Sequence, residues 1–290
     1  MLSRLGILFM RLLAFLPLAW VRLLGAALGR ALYHLVPSRR RVADTNLRLC
    51  FPHWSEAERQ AHVRRVFVLF AQTWLDRGWL WHAHPDVTLR RLKIVGEVDQ
   101  LQGDGATVLF APHFLGLDAG ATALSQQVNR QFSTIYTPQS NAVLDEWIAM
   151  GRRRFGNAAL YNRKSGVKPV LAALRLGNPL YLLPDMDFGP DDCLFVPFFG
   201  VPAATVPSLP RFARLGRARV VPVLTRLTPD GYEVKILPAW EAYPTGDLEA
   251  DCRRMNEHLE AYIRAMPDQY YWVHKRFKTR PPGDADVYSG

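Results

Sequence analysis

The chain has 290 residues, 49% of them hydrophobic, which is enough for one large α/β domain with a substantial core. No Ser/Gly-rich linker, low-complexity tract or internal repeat divides it. The formal net charge of +10 calls for an anionic partner. The basic residues form no Lys-rich run and no nucleic-acid-binding module, so nucleic acid is set aside in favour of membrane lipid and acidic protein. Cys50, Cys193 and Cys252 are far apart, with no C-x-x-C pair, which argues against a zinc knuckle or a disulfide framework and for reduced thiols.

Residues 1–43 contain no Asp or Glu, and arginines at 4, 11, 22, 30, 39, 40 and 41 punctuate nearly pure apolar runs. Those runs are short beside the roughly 20 residues a clean membrane span needs. A signal peptide, a span, an interfacial helix and a buried core helix are the alternatives. Arg4, Arg11 and Arg22 are seven and eleven residues apart, which returns them to nearly one helix face. One cationic stripe on an apolar helix suits a membrane-anchoring helix facing anionic headgroups. The expected division is therefore an anchor over 1–43 and a second domain over 44–290, with the Arg39–41 cluster on the cytoplasmic side.

Residues 54–81 read as a helix capped by Ser55, with Glu56 and Glu58 in its first turn and Val63, Val66, Phe67 and Phe70 as its apolar stripe. Trp74, Trp79 and Trp81 add aromatic bulk to it, either as core or as a membrane-facing belt. His82 and His84 form an H-x-H pair without a third ligand at metal-binding spacing. From residue 91 strands alternate with helices. The strands are expected at 92–95, 107–111, 133–136, 180–183, 219–224 and 232–236, and the helices at 117–127, 141–155, 166–176, 206–215 and 248–265. That pattern predicts a mostly parallel central sheet flanked by helices. The turn signal Pro229-Asp230-Gly231 predicts an antiparallel hairpin at the end.

Sites in such folds sit at the carboxyl ends of strands, where His113 and Asp185 fall. The run Val108 to Asp118 ends a strand in Ala111-Pro112 and then offers His113, four residues and Asp118. A carboxylate that holds an imidazole in one tautomer lets it take the proton of an alcohol, which can then attack an acyl carbonyl. The bland alternative is a lone core histidine beside a helix-capping aspartate. Five residues span about 500°, so the two meet only if His113 lies in the loop and Asp118 in the first helical turn, with Gly116 allowing the bend.

Arg152, Arg153 and Arg154 end a helix, where cations are favoured by the dipole. One inward arginine could bind phosphate or carboxylate bidentately. Asp185 and Asp187 could be caps, acceptors for a substrate hydroxyl or metal ligands. Residues 195–200, Phe-Val-Pro-Phe-Phe-Gly, read as an apolar loop that packs in the core or lines an acyl-chain groove. Thr205 reads as the N-cap of the helix that follows.

His113-x4-Asp118, Asp185-Met-Asp187, the 195–200 segment with Ala204-Thr205, and Tyr-Trp-Val-His-Lys-Arg-Phe-Lys-Thr-Arg-Pro at 271–281 occur in that order. This resembles the late acyltransferases of bacterial lipid A biosynthesis, within the lysophospholipid acyltransferase-like superfamily. The resemblance runs over nearly the whole chain. It departs at Asp118, where many lipid A enzymes carry Glu.

The resemblance implies an inner-membrane enzyme working on the cytoplasmic face. It implies transfer of a fatty acyl group from acyl carrier protein to a hydroxyl of a lipid A precursor of the Kdo-lipid IVA type. It assigns His113 as general base, Asp118 as its orienting partner, and Arg152 and Asp185 to substrate positioning. The thioester supplies the driving force, so no metal and no cofactor is expected. Backbone N–H groups near Gly116 are candidate oxyanion donors, and Phe195, Phe198 and Phe199 are candidates for closing the acyl groove. The alternatives are an acyltransferase for another lipid acceptor, such as a lysophospholipid or an ornithine lipid, a hydrolase, and a non-catalytic lipid-binding membrane protein. The chain has no G-x-S-x-G elbow, which argues against a serine hydrolase.

Overall fold

The computed structural model describes residues 2–156 and 158–289. Five helices come first: α1 (Leu2–Leu13), α2 (Leu18–Leu35), α3 (Pro37–Cys50), α4 (Glu56–His82) and α5 (Pro85–Arg91). The strands that follow are β1 (Leu92–Gly96), β2 (Thr107–Phe110), β3 (Phe132–Tyr136), β4 (Ala158–Asn162), β5 (Leu180–Leu182), β6 (Leu194–Phe198), β7 (Val201–Thr205), β8 (Arg219–Thr228) and β9 (Gly231–Ile236). Between and after them lie α6 (Leu117–Gln127), α7 (Ala142–Arg152), α8 (Lys168–Arg175), α9 (Ser208–Gly216) and α10 (Leu248–Ala265).

A seven-stranded sheet runs in the order β1-β9-β8-β2-β5-β3-β4. Its neighbours are parallel except for the β8–β9 hairpin, which turns where Pro229-Asp230-Gly231 predicted it. The sheet is mostly parallel and flanked by helices, as expected.

The central strands are continuous apolar runs because both faces are covered. Val108 and Phe110 of β2, Leu180 and Leu182 of β5 and Val220 of β8 pack toward α8, α9 and α10 through Leu174, Phe212 and Leu259. The alternate residues Leu109, Tyr181 and Val221 pack on the opposite side with Leu75 and Trp79 of α4, Ala123 of α6 and Trp147 of α7. Period-two alternation thus divides one strand between two cores.

Helix α4 begins with a full capping box: Ser55 accepts from the Glu58 amide while the Glu58 carboxylate accepts from the Ser55 amide. Its 27 residues make a rod of about 40 Å against which α1 and α2 pack. Helix α2 presents Val21, Gly25, Gly29 and Tyr33 to it, one face at four-residue spacing. Glycine is required at position 29, because a Cβ there would lie 2.5 Å from the Val68 Cα.

Five features differ from the sequence expectations. The N-terminal segment is two helices, broken over residues 14–17 at Pro17, and among the described residues no helix is long and apolar enough to cross a membrane. The single cationic stripe does not form. Arg22 turns inward to Asp76 at 3.0 Å, and that buried carboxylate also accepts from Tyr232 at 2.6 Å and Trp79 at 2.8 Å. An unpaired buried charge would cost several kcal/mol, which fixes the rotation of α2.

The segment at 195–200 is no loop. It is the arm and turn of the β6–β7 hairpin, with Phe199 and Gly200 at positive φ. Thr205 ends β7 instead of capping α9, and its hydroxyl receives Arg276 at 3.1 Å. Strand β4 escaped notice because Ala-Ala-Leu-Tyr-Asn is half-buried throughout and carries no alternation.

Candidate active site

Two adjacent parallel strands build the site. In the β2–β5 register Phe110 stands opposite Leu182, and the Ala111 amide continues the ladder to the Leu182 carbonyl at 2.9 Å. Each strand then meets proline, Pro112 and Pro184, which cannot donate to a ladder and ends it. The next residues are His113 and Asp185, each three positions past the paired residues. Equal offsets on paired strands bring the side chains together at the carboxyl ends.

Asp185 is fully buried and takes three donors. The His113 ring Nδ1 lies 2.7 Å from its Oδ1, the His113 backbone amide donates to Oδ2 at 2.9 Å, and the Tyr270 hydroxyl donates to Oδ2 at 2.9 Å. Burial works against its charge, but His113 and the hydrogen bonds outweigh burial and hold the carboxyl below its ordinary range. An ionised carboxylate only accepts. Nδ1 therefore carries the proton in this pair, and Nε2 of a neutral ring carries the lone pair. His113 lines a cavity of about 680 Å³, whose walls include Trp74, Leu124, Phe132, Leu160 and Phe212.

This corrects the expected pairing of His113 with Asp118. Asp118 does sit in the first turn of α6, as the spacing required, but its carboxylate serves two arginines. Arg77 of α4 reaches Oδ2 with Nε at 2.8 Å and Nη2 at 2.7 Å, and Arg152 reaches Oδ1 with Nε at 2.9 Å. Burial would raise the Asp118 carboxyl, but Arg152 and Arg77 outweigh it and pull it down to about 2. The same cluster ties α4, α6 and α7 together beside the cavity, which Arg77, Asp118 and Arg152 all line.

Asp185 is likewise not placed to bind substrate, since both of its oxygens are occupied and none of its surface is exposed. Arg152 is the arginine of its triplet that lines the cavity. Gly151 lies so close to Trp81 that a Cβ would fall 2.2 Å from the ring, and Arg154 donates to the Leu80 carbonyl at 2.6 Å and to the Ala83 carbonyl. These contacts seat the end of α7 on α4 and set Arg152 over Asp118.

The C-terminal 271–281 motif straps this assembly down. The Tyr271 amide donates to the His113 carbonyl at 3.0 Å, and the Leu115 amide to the Gln269 carbonyl at 2.7 Å. His274 Nε2 accepts the Asp187 amide at 3.1 Å, with its ring held neutral by burial and the nearby Arg276 at about 4. Thr279 binds both Asp187 oxygens through its amide at 2.6 Å and its hydroxyl at 2.8 Å. Arg276, also buried, donates to the Ala204 carbonyl at 2.8 Å. Asp187 is thus a structural tie.

Among the described residues no group of His, Cys, Asp and Glu could hold a metal. His82 instead accepts from Trp147 at 2.9 Å, and His84 caps α5. Phe195, Phe198 and Phe199 do not line the cavity: Phe198 is core, and Phe199 packs on Phe51 and under Arg264. Gly116 has φ −84°. Its smallness answers a close approach, since a Cβ would lie 2.9 Å from the Tyr232 ring.

Asp118 makes a pH prediction. Its carboxyl titrates at about 2 folded against an ordinary 3.8, so the unfolded chain binds the proton more readily. The stabilisation is complete above the unfolded value, is on the order of 2 kcal/mol, and is lost as pH falls through about 2. Denaturant melts of the native chain and Asp118→Asn should therefore differ at neutral pH and converge between about pH 4 and pH 2. A gap that stays constant over that window contradicts the pairing.

The family described as bacterial lipid A biosynthesis acyltransferase matches residues 1–279. The lipid A biosynthesis lauroyltransferase of Escherichia coli K12 is 33% identical over 99% of this chain and 94% of its own. The lipid A biosynthesis myristoyltransferase of the same organism is 34% identical over 91% of this chain and 82% of its own. A crystal structure of the 1-acyl-sn-glycerophosphate acyltransferase of Thermotoga maritima covers 84% of this chain and 97% of that one, at 16% identity and a TM-score of 0.40. With the family matching residues 1–279 and both relatives more than 30% identical over most of their length, this chain belongs to the bacterial lipid A biosynthesis acyltransferase family and is an acyltransferase.

Proposed function

We propose that the protein transfers a fatty acyl group from acyl carrier protein to a hydroxyl of a lipid A precursor, with His113 as general base and Asp185 as the carboxylate that orients it. The observation that carries this reading is the His113–Asp185 hydrogen bond of 2.7 Å at the wall of a largely apolar cavity. His113 Nε2 takes the proton of the acceptor hydroxyl as its oxygen attacks the thioester carbonyl. The Asp185 charge stabilises the imidazolium so formed while the Nδ1–H bond holds the ring in place. When the tetrahedral intermediate collapses, the C–S bond breaks and the departing thiolate takes the proton from Nε2. Donor and acceptor are thereby converted to free thiol and ester with no net proton change. Arg77 and Arg152 keep the cavity wall cationic, and Arg152 remains the candidate for positioning an anionic part of the substrate.

We further propose that the reaction takes place at the cytoplasmic face of the inner membrane. Helices α1 and α2 and the turn between them expose Leu5, Leu8, Phe9, Leu12, Phe15, Trp20, Leu23 and Leu24. An exposed apolar face of that extent on two helices too short or too charged to span suits insertion in the plane of the interface.

Two measurements test this reading. Purified full-length protein in detergent is given lauroyl- and myristoyl-carrier protein with a tetra-acylated lipid A precursor, and mass spectrometry reads the lipid. A gain of one acyl chain is expected, falling by about 10²–10⁴-fold in His113→Ala and in Asp185→Asn. Acylation of lysophospholipid but not of the precursor would refute the acceptor, and full activity in Asp185→Asn would refute the dyad. Separately, Phe15→Glu with Trp20→Glu should release the protein from vesicles into the supernatant; undiminished sedimentation with vesicles would refute the interfacial placement.

A further inference from the structure

A second cleft, of about 710 Å³, lies between α3 and the C-terminal residues, and it shares no lining residue with the His113 cavity. Arg41, Thr45 and Arg48 follow Ser38 at three-, seven- and ten-residue offsets, so one face of α3 lines the cleft, with Val42 at its buried edge, while Ala43, Asn46, Leu47 and Cys50 bury the other. Arg39 and Lys275 complete the wall. Among the described residues none of Arg39, Arg41, Arg48 and Lys275 is in an ion pair. Among the described residues Asp44 is the one carboxylate in the lining, and Arg59 at 2.7 Å and Gln60 at 2.8 Å already hold it.

The charge is also placed against the helix dipole. The first turn of α3 has no acidic residue and instead carries Arg39 and Arg40, at the end where the backbone is itself positive. Arg39 also donates to the Val273 carbonyl at 3.3 Å and Lys275 lies 5.1 Å from the centre of the Tyr288 ring, but no carboxylate among the described residues pairs with any of the four cations. With the hydroxyls of Ser38 and Thr45 around one concavity they form a site for a multivalent oxyanion, the chemistry of a phosphate group.

The chain points to where that phosphate comes from. The exposed apolar face of α1 and α2 ends in Leu35, which is 75% exposed and stands three residues before Ser38. Apolar surface running directly into a cationic cleft matches the step from acyl region to headgroup at a lipid surface. We propose that the α3 cleft binds the phosphate of an anionic lipid headgroup. The phosphate chemistry is independent of the His113 reaction; only the assignment of its source to lipid rests on the placement of α1 and α2 in the interface.

The test uses the full chain and vesicle sedimentation, a readout that needs no turnover. Partition is measured onto vesicles of phosphatidylcholine alone and of phosphatidylcholine with phosphatidylglycerol. The native chain is compared with the triple variant Arg41→Gln, Arg48→Gln, Lys275→Gln. A control, Lys93→Gln, Arg214→Gln, Lys235→Gln, removes the same charge from exposed positions elsewhere. The expected result is that the gain in partition conferred by phosphatidylglycerol falls at least about tenfold in the cleft variant and little in the control. Equal loss in both variants, or none in either, overturns the cleft as a site. Inorganic phosphate that abolishes the phosphatidylglycerol gain in the native chain at low concentration overturns the lipid source.

Discussion

A carboxylate with no exposed surface, Asp185, is the point on which the rest of the site depends. Removing such a charge from water costs several kcal/mol unless hydrogen bonds replace the lost solvent. Here the replacement comes from one ring nitrogen, one backbone amide and one phenol, drawn from two separate parts of the chain. Each donor is therefore held in place by the need to satisfy the charge. His113 is bound through both backbone and ring, which leaves its rotamer little freedom. Tyr270 brings the C-terminal strap with it, and the strap in turn supports His113 through the Tyr271 amide.

A second ionic cluster does a different job nearby. Asp118 pairs with both Arg77 of α4 and Arg152 of α7, which leaves the cluster with a net positive charge. Because the two arginines lower the Asp118 carboxyl further than burial raises it, the cluster stays charged over the whole neutral range. Its Arg77 guanidinium also lies 4.1 Å from the centre of the Trp74 ring, so the cation is covered by an aromatic face on the cavity wall. The two aspartates thus divide the work: one holds the ring that moves a proton, and the other holds the helices around it.

Much of this could be read before the fold was known, and the gaps have physical reasons. Helix α6 starts at Leu117 as the spacing predicted, and the Ser55 cap forms in full, because both depend on neighbours along the chain. The resemblance named His113, Asp118, Arg152 and Asp185; His113, Asp118 and Arg152 stand in the wall of one cavity, and Asp185 lies buried behind His113. It misassigned the partners of the two aspartates, because hydrogen-bond pairing across strands depends on register and not on spacing. A signal was available in the repeated Pro-His and Pro-Asp at 112–113 and 184–185, where two apolar strands end alike. The 195–200 segment, apolar throughout and interrupted by Pro197, lacks the polar alternation that marks a hairpin. Arg22 was misjudged because periodicity on one helix says nothing about a buried acid on another, and Asp76 lies 54 residues on.

The central claim is that Asp185, not Asp118, holds the His113 ring. Proton NMR of the full chain in detergent micelles, with ¹⁵N-labelled histidine, reads that bond through the Nδ1–H of His113. The account predicts a low-field, exchange-protected Nδ1 proton at His113 that persists in Asp118→Asn and is lost in Asp185→Asn. The opposite dependence, with the signal surviving Asp185→Asn and vanishing in Asp118→Asn, would contradict it.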